Sequence, residues 1–393
     1  MIWQGRLAAG GAAVEVEVDA GGRISGIRPL SGGEHPGLPY ISAGWTDLQL
    51  NGFGGYDLNG GITTPEDVAG VTRALHKRGV AAYLPTVITG SYERMSQAMA
   101  AVAAYCGSGC PEAKSIWGIH MEGPYLSGED GSRGAHPREF IRNPGWEEFQ
   151  RLQEAAGGLI RMVTLAPERE GAIPFIRRLT DSGVVVAIGH TMASSDEIEA
   201  AVEAGATVST HLGNGSQPVL PRHPNYIWQQ LAEDRLWGTF IPDGHHLAPP
   251  VLKVMLRAKG SRSVLVSDCT QFGGMAPGRY QSLIGGDVEL LENERLQTAA
   301  NPAILAGSAV SLDSGIANAV RYTDMDLAEA VAAVTERPAR VMGMSGRGVL
   351  AEGAVADLTL FDYDLAAGEI SVKETVVAGT SVYRRTGASP KRP

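Results

Sequence analysis

Short apolar runs alternate with longer amphipathic stretches through the middle of this chain, and no other feature limits its fold as strongly. Such alternation is typical of repeated β/α units, in which a buried parallel strand is followed by a helix. Eight units of this kind predict an α/β protein with a closed (β/α)8 TIM-like barrel. The predicted strands are 45–50, 82–88, 116–121, 159–165, 184–188, 206–210, 236–241 and 263–266.

Residues that cap helices mark the starts of the amphipathic stretches. Thr64 precedes Pro65, and Ser194 with Glu197 forms a capping-box pattern. An open doubly wound sheet is the alternative fold, and it predicts a glycine-rich phosphate-binding turn after the first strand. Segment 51–55 is rich in glycine, but no clearly capped helix follows it at once. The closed barrel is therefore the better prediction.

The two ends of the chain share a different pattern. Short stretches alternate apolar with polar side chains between glycine-containing turns, which is typical of antiparallel strands. The predicted strands of this kind are 14–18, 24–27, 358–361, 371–377 and 380–383. Because chain ends commonly lie close together, we expect one small β-sandwich domain built from residues 1–43 and 346–393. The barrel would then occupy residues 44–345.

Charge and cysteine content exclude several classes of protein. A net charge of −10 without a Lys/Arg cluster argues against nucleic acid or an anionic membrane surface as a partner. Three cysteines are too few for a disulfide framework, and no apolar leader opens the sequence. No apolar run approaches the roughly 18 residues of a membrane span. We therefore expect a soluble, cytoplasmic protein.

Four ionisable side chains follow four different predicted strands. Glu122, His190, His211 and Asp268 each lie at or just beyond the C-terminal end of a strand. A barrel assembles its active site on that face, commonly from long loops such as 122–146. Singly, each residue has a simpler explanation, because a histidine there is often a hydrogen-bonded core residue and an aspartate a helix cap.

Together the four residues fit a metal-dependent hydrolase. Two histidines and a glutamate form a known ligand set for catalytic Zn²⁺, which leaves a fourth position open. The attacking water then needs a base outside the ligand set, and Asp268 fits that role. The same group, once protonated, would give its proton to a leaving amine. This logic predicts hydrolysis of an amide rather than redox chemistry or phosphoryl transfer.

Seven motifs in this order resemble one known family. They are GWTDLQLNG at 44–52, LPT at 84–86, HMEGPY at 120–125, LAPE at 165–168, GHT at 189–191, THLGN at 210–214 and LAGS at 305–308. The sequence resembles the N-acetylglucosamine-6-phosphate deacetylases, a branch of the amidohydrolase superfamily. The likeness spans nearly the whole chain, including the two β segments at its ends.

The resemblance implies roles for individual residues. Glu122, His190 and His211 would bind one divalent metal ion, typically Zn²⁺, and Asp268 would be the catalytic acid and base. The implied substrate contacts are Ala135, His136, Asn214, Gly215, Arg222, His246, Leu305, Ala306 and Gly307.

The resemblance gives His136 and Arg222 specific roles and leaves one choice open between two histidines. His136 would lie near the acetamide and steady the developing oxyanion. Arg222 would reach the phosphate from the neighbouring subunit of a homodimer. Without the resemblance, both would pass as solvated loop residues. His245 and His246 are adjacent, so the sequence does not say which one points inward.

The chain also departs from the pattern of the family that it resembles. Many amidohydrolases carry His-x-His after the first barrel strand for a second metal, whereas this chain has Gln49 and Asn51 there, so one metal with two amides beside it is expected. Gly215 and Trp228 replace residues that are commoner near the sugar-phosphate pocket. Cys269 is adjacent to the base and is expected to be a spectator, with a redox-sensitive thiol as the alternative. Gly273 and Gly274 fit either a lid or ordinary turns.

The sequence therefore predicts a zinc-dependent deacetylase of an amino sugar, N-acetylglucosamine 6-phosphate first among the substrates. N-acetylgalactosamine 6-phosphate, an unphosphorylated acetamido sugar or another N-acyl compound is the alternative within the same class. A catalytically silent sugar-phosphate binder is the alternative from another class, and it would require loss of the metal.

Overall fold

Eight parallel strands lie side by side in sequence order and form the inner wall of a barrel. The computed structural model describes residues 1–31, 35, 37–282 and 286–386. Barrel strands 1 to 8 are, in chain order, Trp45–Leu50, Val80–Ile88, Ile119–Glu122, Ile160–Leu165, Val185–Ile188, Val208–Ser209, Trp237–Phe240 and Ser263–Leu265. Every predicted strand is present, with its ends shifted by a few residues.

The barrel closes between its first and last strands. Leu50 forms a parallel bridge with Cys269, just beyond strand 8. The Asp268 amide donates to the Gln49 carbonyl at 3.0 Å, and the Asn51 amide donates to the Cys269 carbonyl at 2.8 Å. We call these contacts the closing seam. They confirm the closed barrel and exclude the open doubly wound sheet.

Helices surround the barrel and begin where their caps predict. Thr64 and Ser194 each form a complete capping box, with Asp67 and Glu197 respectively. The α-helices are Pro65–His76, Tyr92–Cys106, Trp146–Ala155, Ala172–Asp181, Ser195–Glu203, Tyr226–Ala232, Pro249–Lys259, Leu312–Tyr322, Leu327–Ala332 and Glu336–Val341. Short 3-10 helices span Pro111–Ser115, Arg138–Phe140 and Gly260–Arg262.

Small and branched apolar side chains fill the barrel and close its lower end. Leu48, Leu84, Met162 and Ile241 belong to one buried cluster, which Trp117 joins. This packing makes the interior a core rather than a pore. Chemistry is therefore confined to the opposite mouth, where the strands end.

Strands from both chain ends form a separate seven-stranded sheet. In spatial order its strands are Thr380–Arg384, Glu369–Val377, Leu358–Asp364, Tyr40–Ala43, Ile2–Leu7, Ala13–Val18 and Ile24–Pro29. The Trp3 indole donates to Glu374 at 3.2 Å although their strands are not neighbours, so the sheet folds over its own apolar core as a β-sandwich. The division at 1–43, 44–345 and 346–393 stays a prediction, and residues 387–393 lie outside the described chain.

The long loop after strand 8 carries a small antiparallel sheet. Its strands are Gly278–Ser282, Gly286–Leu290 and Leu296–Thr298, and each pairs antiparallel with the next. Among the helices of the described chain, none is long and apolar enough to cross a membrane.

Candidate active site

Four predicted site residues meet at the mouth of the barrel. Glu122 ends strand 3, while His190, His211 and Asp268 follow strands 5, 6 and 8 within three residues. Glu122, His190 and His211 are buried, and Asp268 is half-buried. The parallel strands carry their C-terminal ends to one face, and this brings together residues that are far apart in sequence.

Glu122, His190 and His211 point one atom each at a common centre. Glu122 Oε1 lies 3.2 Å from His190 Nε2 and 2.9 Å from His211 Nε2, and the two nitrogens are 3.1 Å apart. Ligand atoms of a tetrahedral zinc site stand roughly 3.3 Å apart. The triangle therefore has the size and the donor chemistry of a three-ligand metal site.

The surroundings prepare these atoms for a cation. His190 Nδ1 donates to the Ser132 carbonyl at 2.9 Å, which orients the ring so that Nε2 is the nitrogen that faces the centre. Gln49 Nε2 donates to Glu122 Oε1 at 2.9 Å. Burial alone would raise the pKa of Glu122, but hydrogen bonds and charge from the two histidines hold it well below its usual value. His211 Nδ1 has no partner among the described residues.

His136 lies close enough to compete for the same centre. One ligand atom each from Glu122, His136 and His190 fit within 4.8 Å of one another, and the His136 and His190 rings are 4.4 Å apart. His211 forms the tighter triangle, however, and His136 Nδ1 is occupied by Thr89 Oγ1 at 2.8 Å. Burial, followed by the charge of His190, lowers the pKa of His136 to about 3. By these distances, His211 completes the triangle better than His136 does.

Asp268 lies beside the triangle and outside it. Asn51 Nδ2 donates to one oxygen of Asp268 at 2.7 Å, and the described residues give the other oxygen no hydrogen bond. Burial, reinforced by the charge of Glu122, raises the pKa of Asp268 to about 6. A carboxylate of this kind is suited to accept a proton near neutral pH.

Three of these residues have left-handed backbone conformations. The φ angles are 50° at His190, 28° at His211 and 48° at Asp268, and the described chain has only two other non-glycine residues with positive φ. Each such residue costs about 1 kcal/mol or more, and strained backbone of this kind clusters at functional sites. Histidine, aspartate and asparagine tolerate it better than most residues.

A cavity of about 640 Å³ opens above the four residues. Its lining includes the predicted contacts Ala135, His136, Asn214, Gly215, His246, Leu305, Ala306 and Gly307. A cleft of about 1350 Å³ beside the terminal sheet is larger but contains none of the four residues. The smaller cavity is therefore the candidate active site, because it holds the ionisable side chains.

His246, not His245, faces the cavity. Asp243 holds it by accepting from the His246 ring Nδ1 at 2.6 Å and from the backbone amides of both histidines at 2.8 Å. The His245 ring turns away and contacts the Asn293 carbonyl at 3.0 Å.

Arg222 and the other open positions lie apart from the cavity. Arg222 is exposed in the loop before helix Tyr226–Ala232 and does not line the cavity of its own chain. Cys269 is buried, and its thiol donates to the Val310 carbonyl at 3.1 Å. Gly273 and Gly274 pack against Phe53, where a side chain at either position would crowd the ring.

Sequence reasoning missed several polar residues of this site, and three of them matter for its chemistry. Asp57 and Asn59 line the cavity from the loop after strand 1, and Asp243 supports His246. Their only sequence signal is that they follow predicted barrel strands, and many surface loops show the same signal.

Comparisons with known proteins agree with this geometry. Two curated relatives are N-acetylgalactosamine-6-phosphate deacetylase from Escherichia coli O157:H7 (34% identity, 76% of this chain, 78% of the relative) and N-acetylglucosamine-6-phosphate deacetylase from Bos taurus (32%, 89% and 85%). A family model described as Amidohydrolase family matches residues 300–383.

Solved structures show the same likeness over almost the whole chain. N-acetyl-D-glucosamine-6-phosphate deacetylase from Mycobacterium smegmatis, in complex with N-acetyl-D-glucosamine-6-phosphate, has a TM-score of 0.81 at 29% identity over 94% of each chain. The Pasteurella multocida deacetylase has a TM-score of 0.84 at 27% identity over 97% of this chain and 99% of its own. The chain belongs to the N-acetylglucosamine-6-phosphate deacetylase family of the amidohydrolases.

Proposed function

We propose that this metal-dependent hydrolase removes the acetyl group from N-acetylglucosamine 6-phosphate and releases acetate and glucosamine 6-phosphate. The observation that carries the proposal is the Glu122, His190 and His211 triangle with Asp268 beside it, at the base of a cavity of about 640 Å³. We assign the triangle to a single divalent ion, Zn²⁺, because its donor set is that of a three-ligand zinc site and two amides replace the second pair of histidines.

Asp268 would move the proton. An ion held by the triangle supplies Lewis acidity to the acetamide carbonyl and to the attacking water. The Asp268 carboxylate takes a proton from the water as its oxygen bonds to the carbonyl carbon. It then gives that proton to the nitrogen as the C–N bond breaks. Asn51 holds one carboxylate oxygen at 2.7 Å, which keeps the base oriented through both transfers.

His136 would donate to the carbonyl oxygen. When Thr89 Oγ1 donates to Nδ1 across 2.8 Å, the neutral ring carries its proton on Nε2. A neutral donor in a buried site stabilises charge that develops on the oxygen. Burial supports this role because it holds the pKa of His136 far below neutral pH.

Residues on the cavity wall would hold the rest of the substrate. We assign the phosphate side to Asn214, Gly215 and His246, and the flank of the sugar ring to 305–307, all of which line the cavity. Asp243 keeps His246 in place from below.

The galactosamine epimer is the second candidate substrate, because a relative with 34% identity is an N-acetylgalactosamine-6-phosphate deacetylase. A panel of both epimers, each with and without the 6-phosphate, tests the proposal on metal-loaded enzyme. Preferred turnover of N-acetylglucosamine 6-phosphate is expected. No turnover of any of the four sugars, with the ion bound, would leave only a silent binder or another N-acyl substrate.

We further propose a homodimer in which Arg222 reaches the neighbouring active site. Trp228, Val251 and Val254 are 53%, 42% and 52% exposed and line an apolar groove of about 370 Å³ on helices Tyr226–Ala232 and Pro249–Lys259. Exposed apolar patches of this kind mark interaction surfaces. A second copy bound there would place Arg222 at the subunit boundary.

Arg222→Ala should discriminate phosphorylated from free substrates. Loss of an arginine contact to a phosphate is expected to lower kcat/KM for N-acetylglucosamine 6-phosphate roughly 10- to 100-fold. Turnover of free N-acetylglucosamine should not change. Arg235→Ala, at another exposed arginine of the same region, is the matched control. An equal loss on both substrates would contradict the phosphate role.

Trp228→Glu should dissociate the dimer, because it places a charge in the apolar groove. Sedimentation of the wild type is expected to give twice the chain mass and of the variant once. The variant should also show the substrate-selective loss of Arg222→Ala, since the arginine comes from the partner. Leu365→Glu, at a residue 77% exposed elsewhere, is the control. A dimeric Trp228→Glu protein would place the interface on another surface.

A cytoplasmic location is the remaining part of the proposal. Free thiols at Cys106, Cys110 and Cys269 fit a reducing compartment. Fractionation of cells that express the protein would test it.

A further inference from the structure

Asp57 is a carboxylate in the catalytic cavity that the proposed reaction does not use. It is partly buried and lines the cavity together with Asn59 and Ile88. One oxygen accepts from the Asn59 amide at 2.8 Å, and the described residues give the other no hydrogen bond. No cation in the described part of the chain forms an ion pair with Asp57. The side chain therefore keeps an open acceptor.

Backbone hydrogen bonds hold the glycine-rich segment after strand 1, which carries this carboxylate. Gly52–Phe53 pairs with Tyr56–Asp57 in a two-stranded ladder. The Gly54 and Gly55 amides each donate at 2.8 Å to carbonyls of the loop after strand 8. Both glycines have positive φ, 63° and 89°, and form the turn between the two short strands. The loop that presents Asp57 is thus bonded to the loop that carries Asp268.

Asn59 holds the same segment against strand 2. Its Nδ2 donates to the Thr86 carbonyl at 2.8 Å, and its Oδ1 accepts from the Ile88 amide at 2.9 Å. These bonds tie the loop to strand 2. A carboxylate held from both sides is positioned for recognition before a ligand arrives.

Asp57 lies on a different part of the cavity wall from the residues assigned to the phosphate. It follows strand 1, and Asn59 is bonded to strand 2, whereas Asn214 follows strand 6 and His246 follows strand 7. In an eight-stranded barrel, strands 2 and 6 face each other across the mouth. A carboxylate that is held by a different loop from the phosphate contacts is free to contact an uncharged part of the substrate.

We propose that Asp57 accepts a hydrogen bond from one ring hydroxyl of the amino sugar and so contributes to substrate specificity. An ionised carboxylate is an acceptor only, and hydroxyls are the donors that the far part of an acetamido sugar offers. This inference rests on the proposed function, since it requires a sugar with its acetamido group at the metal triangle.

The test compares Asp57→Asn with the wild type on N-acetylglucosamine 6-phosphate and on its 1-deoxy, 3-deoxy and 4-deoxy analogues. Asparagine retains an oxygen for the Asn59 amide but replaces the open acceptor with a donor. Tyr56→Phe is the matched control, because the adjacent Tyr56 lines the separate cleft of about 1350 Å³. Bound metal and the melting temperature are measured for each protein.

Asp57→Asn is expected to lower kcat/KM for the parent sugar roughly 10- to 100-fold, mainly through KM. With the wild type, one deoxy analogue should have a kcat/KM that is lower than that of the parent sugar by the same factor. Asp57→Asn should not lower kcat/KM for that analogue any further. A purely structural role would instead give the same loss on all four sugars, and that result would overturn the inference. So would a variant within twofold of the wild type on the parent sugar. A wild type that hydrolyses none of the sugars would overturn the proposed function as well.

Discussion

Asp268→Asn should lower kcat about 10³-fold while the metal ion stays bound. An amide cannot accept the proton of the attacking water or return it to the leaving amine, and general acid–base groups of this kind contribute 10²- to 10⁴-fold. Asparagine is preferred to alanine because it tolerates the φ of 48° at this position. Single-turnover rates and metal content measured on the same preparation check both parts.

The pH profile separates loss of the base from general damage. Burial raises the pKa of Asp268 to about 6, and a bound cation opposes that shift. The protonated acid cannot accept a proton, so wild-type kcat/KM is expected to fall as the pH drops through a value at or below about 6. The variant should lack this limb. Asp324→Asn, at an exposed carboxylate, is the control, and an unchanged acid limb in Asp268→Asn would assign it to another group.

His211→Asn should remove the metal, whereas His136→Asn should retain it. Deleting one of three ligands is expected to lower bound zinc from about one ion per chain to below a tenth, with kcat reduced about 10³-fold. Loss of one oxyanion donor at His136 should cost about 10²- to 10³-fold in kcat at full metal content. Metal analysis after dialysis, beside initial rates, distinguishes the two results.

Gln49→Ala should weaken metal binding without abolishing it. Gln49 donates to the ligand atom of Glu122 at 2.9 Å, and loss of such a supporting contact weakens metal binding roughly 10- to 100-fold. Its activity should therefore recover when zinc is added in excess. Loss of the ion from His136→Asn and not from His211→Asn would reverse the assignment of the third ligand.

The four ionisable residues at the strand ends could be predicted because their positions depend on the regular alternation of apolar runs. The apolar runs locate the strand ends, and a parallel barrel brings those ends to a single face. Glu122, His190, His211 and Asp268 therefore follow from periodicity and residue type. The helix starts at Thr64 and Ser194 are equally local signals, and the structure contains both.

Residues that depend on irregular backbone could not be predicted in this way. Asp57 reaches the cavity only because a two-stranded ladder folds back on the strand 8 loop, and no short-range pattern specifies that contact. The terminal strands Ile2–Leu7 and Tyr40–Ala43 pair in parallel across an intervening segment, and local alternation does not reveal such pairing. The position of Arg222 relative to a second chain depends on an interface that one sequence does not describe.

The closing seam links catalysis to the junction of the first and last barrel strands. The Asp268 amide donates to the Gln49 carbonyl, while the Gln49 side chain donates to Glu122. One backbone contact therefore sets the spacing between Asp268 and the Glu122, His190 and His211 triangle. Local opening at this edge would separate them by breaking a few hydrogen bonds, long before the remaining strands unfold. On heating, the turnover rate would thus report local opening at the junction of the first and last strands. Heat inactivation would precede loss of the fold.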